Sequence, residues 1–77
     1  MLNFKIIGSK ITEIRKRNNM TQDDVAEKLF MSRQVISKWE NGIALPSIET
    51  LLDLCEVLHT TFDEVLCLNN KEEKTNE

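Results

Sequence analysis

The sequence predicts an all-α fold. Glycine occurs only at residues 8 and 42 and proline only at 46, so breakers are few. No stretch alternates polar and apolar residues as a half-buried strand would. Apolar residues recur instead at three- and four-residue intervals, the spacing that gathers them on one helix face. With 77 residues, 40% of them hydrophobic, the chain suits one small folded domain. That domain is expected over residues 1–68. The polar tail "NNKEEKTNE", residues 69–77, lacks apolar anchors and is expected to be disordered.

Five helices follow in order. The first is expected from about Ser9 to Asn18: Ile7, Ile11 and Ile14 repeat at helical spacing and "RKRNN" ends it. Thr21 opens the second. Thr21 and Asp24 stand at capping-box spacing, Asp23 and Asp24 suit the helix dipole, and Val25, Ala26 and Leu29 form the apolar face. Ser32 is expected to cap the third helix and Gly42 to stop it with a left-handed residue. Pro46–Ser47 marks the fourth, whose expected core face is Ile48, Leu51, Leu52, Cys55 and Leu58. Thr61 and Glu64 form a second capping box for a fifth, carrying Phe62, Val65 and Leu66.

Net charge is −3, yet the charge is divided. Residues 1–40 carry eight Lys/Arg and five Asp/Glu, giving +3, and residues 41–77 carry two Lys and eight Asp/Glu, giving −6. Such a chain presents a positive face to a polyanion while its far side stays acidic. No apolar run is long enough to span a bilayer, and "MLNFKIIGSK" is too short and mixed for a secretory signal, so a cytoplasmic protein is expected. Cys55 and Cys67 fit reduced thiols. Cys55, His59 and Cys67 lack a fourth ligand, and Cys55 falls on a core face, so core packing is favoured over metal binding. One His, no Tyr and no Gly-rich phosphate loop leave no constellation for catalysis, and no cofactor is expected.

The stretch "SRQVISKWENG", residues 32–42, separates by face when wound as a helix. Val35, Ile36 and Trp39 share one arc and read as its packing side. Arg33, Gln34, Ser37, Lys38 and Asn41 share the other. That arc holds a guanidinium, a primary amide, a hydroxyl and an ammonium rather than a run of Glu and Lys. Arg bonds guanine O6 and N7 bidentately, and Gln does the same for adenine N6 and N7. Neutral donors such as Gln22 and Asn41 suit phosphate oxygens. The second and third helices are short, with about three residues between them and the small Ala26 where they would cross. That is the outline of a helix-turn-helix, whose second helix fits a major groove about 12 Å wide.

Over residues 7–66, through "IGSKITEIRKRNNMTQDDVAEKLFMSRQVISKWENG" and "PSIETLLDLCEVLHTTFDEVL", the sequence resembles the Cro/repressor-type helix-turn-helix proteins, the xenobiotic-response-element (XRE) family. The resemblance implies a five-helix Cro/repressor-like domain that binds double-stranded operator DNA, usually as a homodimer, and regulates transcription. A repressor is the expected kind, with an activator left open. It implies phosphate contacts from Gln22 and Asn41. Base and phosphate readers would be Arg33, Gln34, Ser37 and Lys38, with Ser32 at the head of the same helix. It also implies a partly buried ion pair between Arg15 and Glu40. Lys16 and Arg17 are expected to be solvated.

This sequence departs from the family twice. Phe30 stands where the family commonly has glycine, so a left-handed turn there would cost about 1 kcal/mol or more unless the turn is reshaped or the ring packs. The loop "GIALPS" lacks the Lys or Arg often found after Asn-Gly, which predicts a shallower salt dependence of DNA binding. Dimer contacts are expected from Val57, Leu58, Phe62, Leu66 and Leu68, with Leu2 and Phe4 as further candidates. The domain is expected to act without an effector domain. Two alternatives stay open: an antitoxin that also masks a toxin, and a protein-interaction adapter of the same fold with weak or no DNA binding.

Overall fold

The computed structural model describes residues 3–68. The tail at 69–77 and Leu2 lie outside the described residues. Five helices follow one another: α1 (Phe4–Arg17), α2 (Gln22–Leu29), α3 (Arg33–Glu40), α4 (Ile48–Val57) and α5 (Phe62–Val65). The described residues contain no strand.

α1 starts about a turn and a half earlier than expected. Asn3 is its N-cap, its Oδ1 accepting from the Ile6 N–H at 3.0 Å. Gly8 therefore lies inside the helix rather than ahead of it, and it has a tertiary reason to be there. A Cβ on Gly8 would sit 2.4 Å from the Trp39 carbonyl oxygen and 2.6 Å from that of Glu40. The missing side chain lets α1 lie directly against the end of α3.

Ile7, Ile11 and Ile14 are buried as their spacing predicts, with Val25 and Ala26 of α2 and Ile36 and Trp39 of α3. The Thr21–Asp24 capping box forms in both directions: Asp24 N–H donates to Thr21 Oγ1 at 3.0 Å and Thr21 N–H to Asp24 Oδ2 at 2.9 Å. The second box forms only halfway. Glu64 N–H donates to Thr61 Oγ1, but the Glu64 carboxylate accepts from Thr60 Oγ1 at 2.6 Å and from Arg17 at 2.8 Å. Arg17 is thus paired with α5 rather than simply solvated.

α4 is rotated from its expected phase. Leu51, Leu54, Cys55 and Leu58 face the core, while Ile48 and Leu52 are 67% and 54% exposed. This helix is apolar on most of its surface, so two stripes have helical spacing. The one meeting α2 and α5 is the one buried. Leu58 is 1% exposed and belongs to the core, not to a dimer surface.

All five helices close alike. Asn19, Phe30, Gly42, His59 and Cys67 follow the last turns with φ between 54° and 73°. The next residue then donates back five positions, from Met20 to Arg15, Met31 to Ala26, Ile43 to Lys38, Thr60 to Cys55 and Leu68 to Asp63, at 2.9–3.1 Å. These bonds satisfy carbonyls that a helix end leaves open. Gly42 adopts this conformation freely, as its sequence position predicts.

Phe30 does not. It sits at φ 57°, ψ 44°, and its ring is 95% exposed. Neither a reshaped turn nor packing of the ring offsets the left-handed strain of about 1–2 kcal/mol. Phe30→Gly should relieve that strain and lose no burial. Glycine's larger entropy loss on folding offsets about 0.5–1 kcal/mol of the gain. A small net rise in unfolding free energy, about 0.5 kcal/mol, is expected by denaturant titration. A clear loss of stability would mean that the ring contributes to the fold.

Candidate nucleic-acid interface

α2 and α3 are joined by the three residues 30–32. Ile36 and Trp39 fix the inner face of α3, with Val35 half-buried beside them, and Arg33, Gln34 and Lys38 are left exposed on the other. Ser37 is half-buried and accepts from Asn41 Nδ2 at 3.1 Å. Asn41 Nδ2 also donates to the Ser37 carbonyl at 2.8 Å, so the Asn41 amide caps its own helix. Arg33 Nε lies 3.3 Å from Asp23 Oδ1, with both side chains well exposed. Such a pair is worth little in water and yields readily to another partner.

Ser32 occupies the N-cap of α3 but makes no side-chain cap, contrary to the expectation from its type and position. Asn3, Thr21, Ser47 and Thr61 each cap the helix they precede. Among the described helices only α3 starts with its hydroxyl uncommitted and its first-turn N–H groups free of a side-chain partner. A helix end in that state favours an anion.

Behind the exposed face lies the ion pair. Arg15 Nε donates to Glu40 Oε2 at 2.7 Å and an Arg15 terminal nitrogen to Oε1 at 3.1 Å, with side chains only 11% and 5% exposed. The other guanidinium end donates to the Met20 carbonyl at 2.8 Å. Glu40 Oε1 also accepts from Thr12 Oγ1 and Gln22 Nε2, each at 2.9 Å. One carboxylate thus joins α1, the start of α2 and the end of α3. Gln22, expected to hold a phosphate, is half-buried with one donor committed inward.

Burial alone would raise the Glu40 pKa, but hydrogen bonds from Arg15, Gln22 and Thr12 outweigh it and hold the carboxyl below its ordinary value. A carboxyl lowered on folding stabilises the fold above its unfolded pKa and loses that contribution as pH falls through the folded value. The melting temperature should therefore fall in acid. Asp24, lowered by the Thr21 hydrogen bonds, and Glu64, lowered first by Thr60 and then by Arg17, act in the same direction. Glu40→Gln should be less stable than the parent at neutral pH and converge toward it in acid. A constant gap across that range would contradict this account of Glu40.

Thr12 was not singled out by sequence. It lies three residues before Arg15 on the same helix face, a signal available in principle. Asn18 is more than the helix end its position predicts. Its Nδ2 donates to the Ile14 carbonyl at 2.8 Å and across to the Leu58 carbonyl at 2.9 Å, joining the ends of α1 and α4.

Two short helices at a three-residue turn, the second seated by its apolar face with its polar face exposed, define a helix-turn-helix domain. The chain belongs to the helix-turn-helix family (HTH_3), which matches residues 11–65. It is 40% identical over 59 residues to the HTH-type transcriptional activator BcrR of Enterococcus faecalis, covering 77% of this chain and 29% of BcrR. The chain spans less than half the length of several curated relatives it matches. Among solved structures, the clp gene regulator ClgR from C. glutamicum superposes with a TM-score of 0.79 at 25% identity, covering 87% of this chain and 86% of that one. The biofilm master regulator SinR, solved in complex with DNA, gives 0.72 at 28% identity over 78% and 97% of the two chains. The expected five-helix, all-α Cro/repressor-like fold is thus found.

Proposed function

We propose that the protein is a sequence-specific regulator of transcription that binds double-stranded DNA and reads the major groove with α3. The observation that carries this is the α3 face itself. Arg33, Gln34 and Lys38 are exposed on a helix whose other side is locked into the core and whose start is left without a side-chain cap. Ser32, Ser37 and Asn41 border that face, and Gln22 lies at its edge through Glu40. Arg33 and Gln34 are the base readers, and Gln22, Ser32, Lys38 and Asn41 serve phosphates. The Asn41 amide must turn out from its helix cap to do so. Bound across a promoter, such a domain excludes polymerase, which makes repression the expected outcome. The likeness to SinR, which is solved with DNA, supports the reading. The site is expected to operate in the cytoplasm.

Binding to a random duplex at low salt tests it. Retention that weakens as salt rises is expected, because cations on phosphates release counterions. Absence of retention on either the duplex or heparin would favour the adapter reading instead.

One recognition helix reads few base pairs, so a homodimer on a palindrome is proposed, with recognition helices about 34 Å apart. Val57, Phe62 and Leu66 are half-buried and Leu68 is 56% exposed, which leaves apolar area near α5 for a second copy. Sedimentation of the protein with its selected duplex should show two chains per duplex. One chain on a non-palindromic site would overturn the dimer.

A further inference from the structure

The Gln22 amide is held by a carboxylate that only accepts hydrogen bonds. Glu40 Oε1 receives one Gln22 Nε2 hydrogen at 2.9 Å, and its side chain is 5% exposed. With the amide turned the other way, its carbonyl oxygen would face that carboxylate, acceptor against acceptor in a largely dehydrated place. Glu40 therefore selects one of the two amide orientations, and a neutral residue there would not. The selected orientation leaves the second N–H of the same amino group as a donor on a half-buried side chain. Thr12 strengthens the selection. Its single hydroxyl hydrogen has two acceptors, the Gly8 carbonyl at 3.1 Å and Glu40 at 2.9 Å, and the carboxylate is the stronger. Arg15 bonds both oxygens, Oε2 from Nε and Oε1 from a terminal nitrogen, and this fork holds the carboxylate in one rotamer.

We infer that Glu40 and Thr12 are positioning residues for DNA binding: they turn the Gln22 amide so that a free N–H is ready for a backbone phosphate. The inference rests on the DNA-binding reading above. Neither residue touches DNA. Their effect passes entirely through Gln22, and that makes the assignment separable from a role in stability.

The test is a double-mutant cycle on random duplex at several salt concentrations, with thermal melts of every variant. Thr12→Val should weaken binding about three- to tenfold, the range of one hydrogen bond. In a Gln22→Ala background Thr12→Val should have no further effect. Glu40→Gln should follow the same pattern wherever melts show it folded. Because no cation is removed, the slope of log affinity against log salt should stay that of the parent. Equal losses from Thr12→Val with and without Gln22, no loss in either, or a changed salt slope would overturn the positioning role while leaving DNA binding in place. Failure of the parent protein to bind duplex would overturn the DNA-binding reading itself, and this inference with it.

Discussion

Arg15→Ala is expected to lower the unfolding free energy by about 3 kcal/mol. The variant strands Glu40, a carboxylate 5% exposed at the junction of three helices. Removing one member of a buried pair costs about 3–5 kcal/mol, because the remaining charge loses its partner without regaining water. The lower end is expected because Thr12 and Gln22 still donate to Glu40. The bond to the Met20 carbonyl is lost as well, which loosens the turn into α2. Denaturant titration measures the change. A loss under about 1 kcal/mol would mean that the pair is solvated and contributes as a surface contact does.

Gly8→Ala is the second large effect, and here the change is one methyl group. The new Cβ would lie 2.4 Å and 2.6 Å from the carbonyl oxygens of Trp39 and Glu40. Both neighbours are backbone, so no side chain can swing aside. α1 and the end of α3 must separate, which disturbs the packing of Ile7, Ile11 and Trp39 around them. Overpacking of this kind costs about 1–3 kcal/mol, and the upper end is expected because the displaced atoms are rigid. Alanine's better helix propensity returns only about 1 kcal/mol in an open helix. A variant as stable as the parent would show that α1 and α3 have room between them.

The periodic core was legible in the sequence wherever one stripe of a helix was apolar and the other polar. Ile7, Ile11 and Ile14 in α1, and Ile36 with Trp39 in α3, are of this kind. α4 was not, because Ile48, Leu51, Leu52, Leu54 and Cys55 offer two stripes and only the neighbouring helices select between them. Capping spacing identified Thr21 correctly and misjudged Glu64, whose carboxylate has a better partner in Arg17 across the fold. Gly8 read as a breaker because close helix approach is a tertiary fact with no local sign. The Arg15–Glu40 pair came from the family resemblance, and its extension to Thr12 and Gln22 required three helices in place. The α3 face itself was legible by residue type alone, since its polar groups vary in shape where an ordinary solvated face repeats Glu and Lys.

That face is the central claim, and in-vitro selection of bound duplexes from a random pool tests it most directly, run in parallel with the parent protein and Arg33→Ala. The parent should enrich a palindromic consensus. Arg33→Ala should bind that consensus about 1–3 kcal/mol more weakly and lose preference at one base position in each half-site, because it deletes a bidentate reader. An Arg33→Ala protein that enriches the same consensus with the same affinity, or a parent that enriches nothing, would contradict the assignment of α3 as the reading helix.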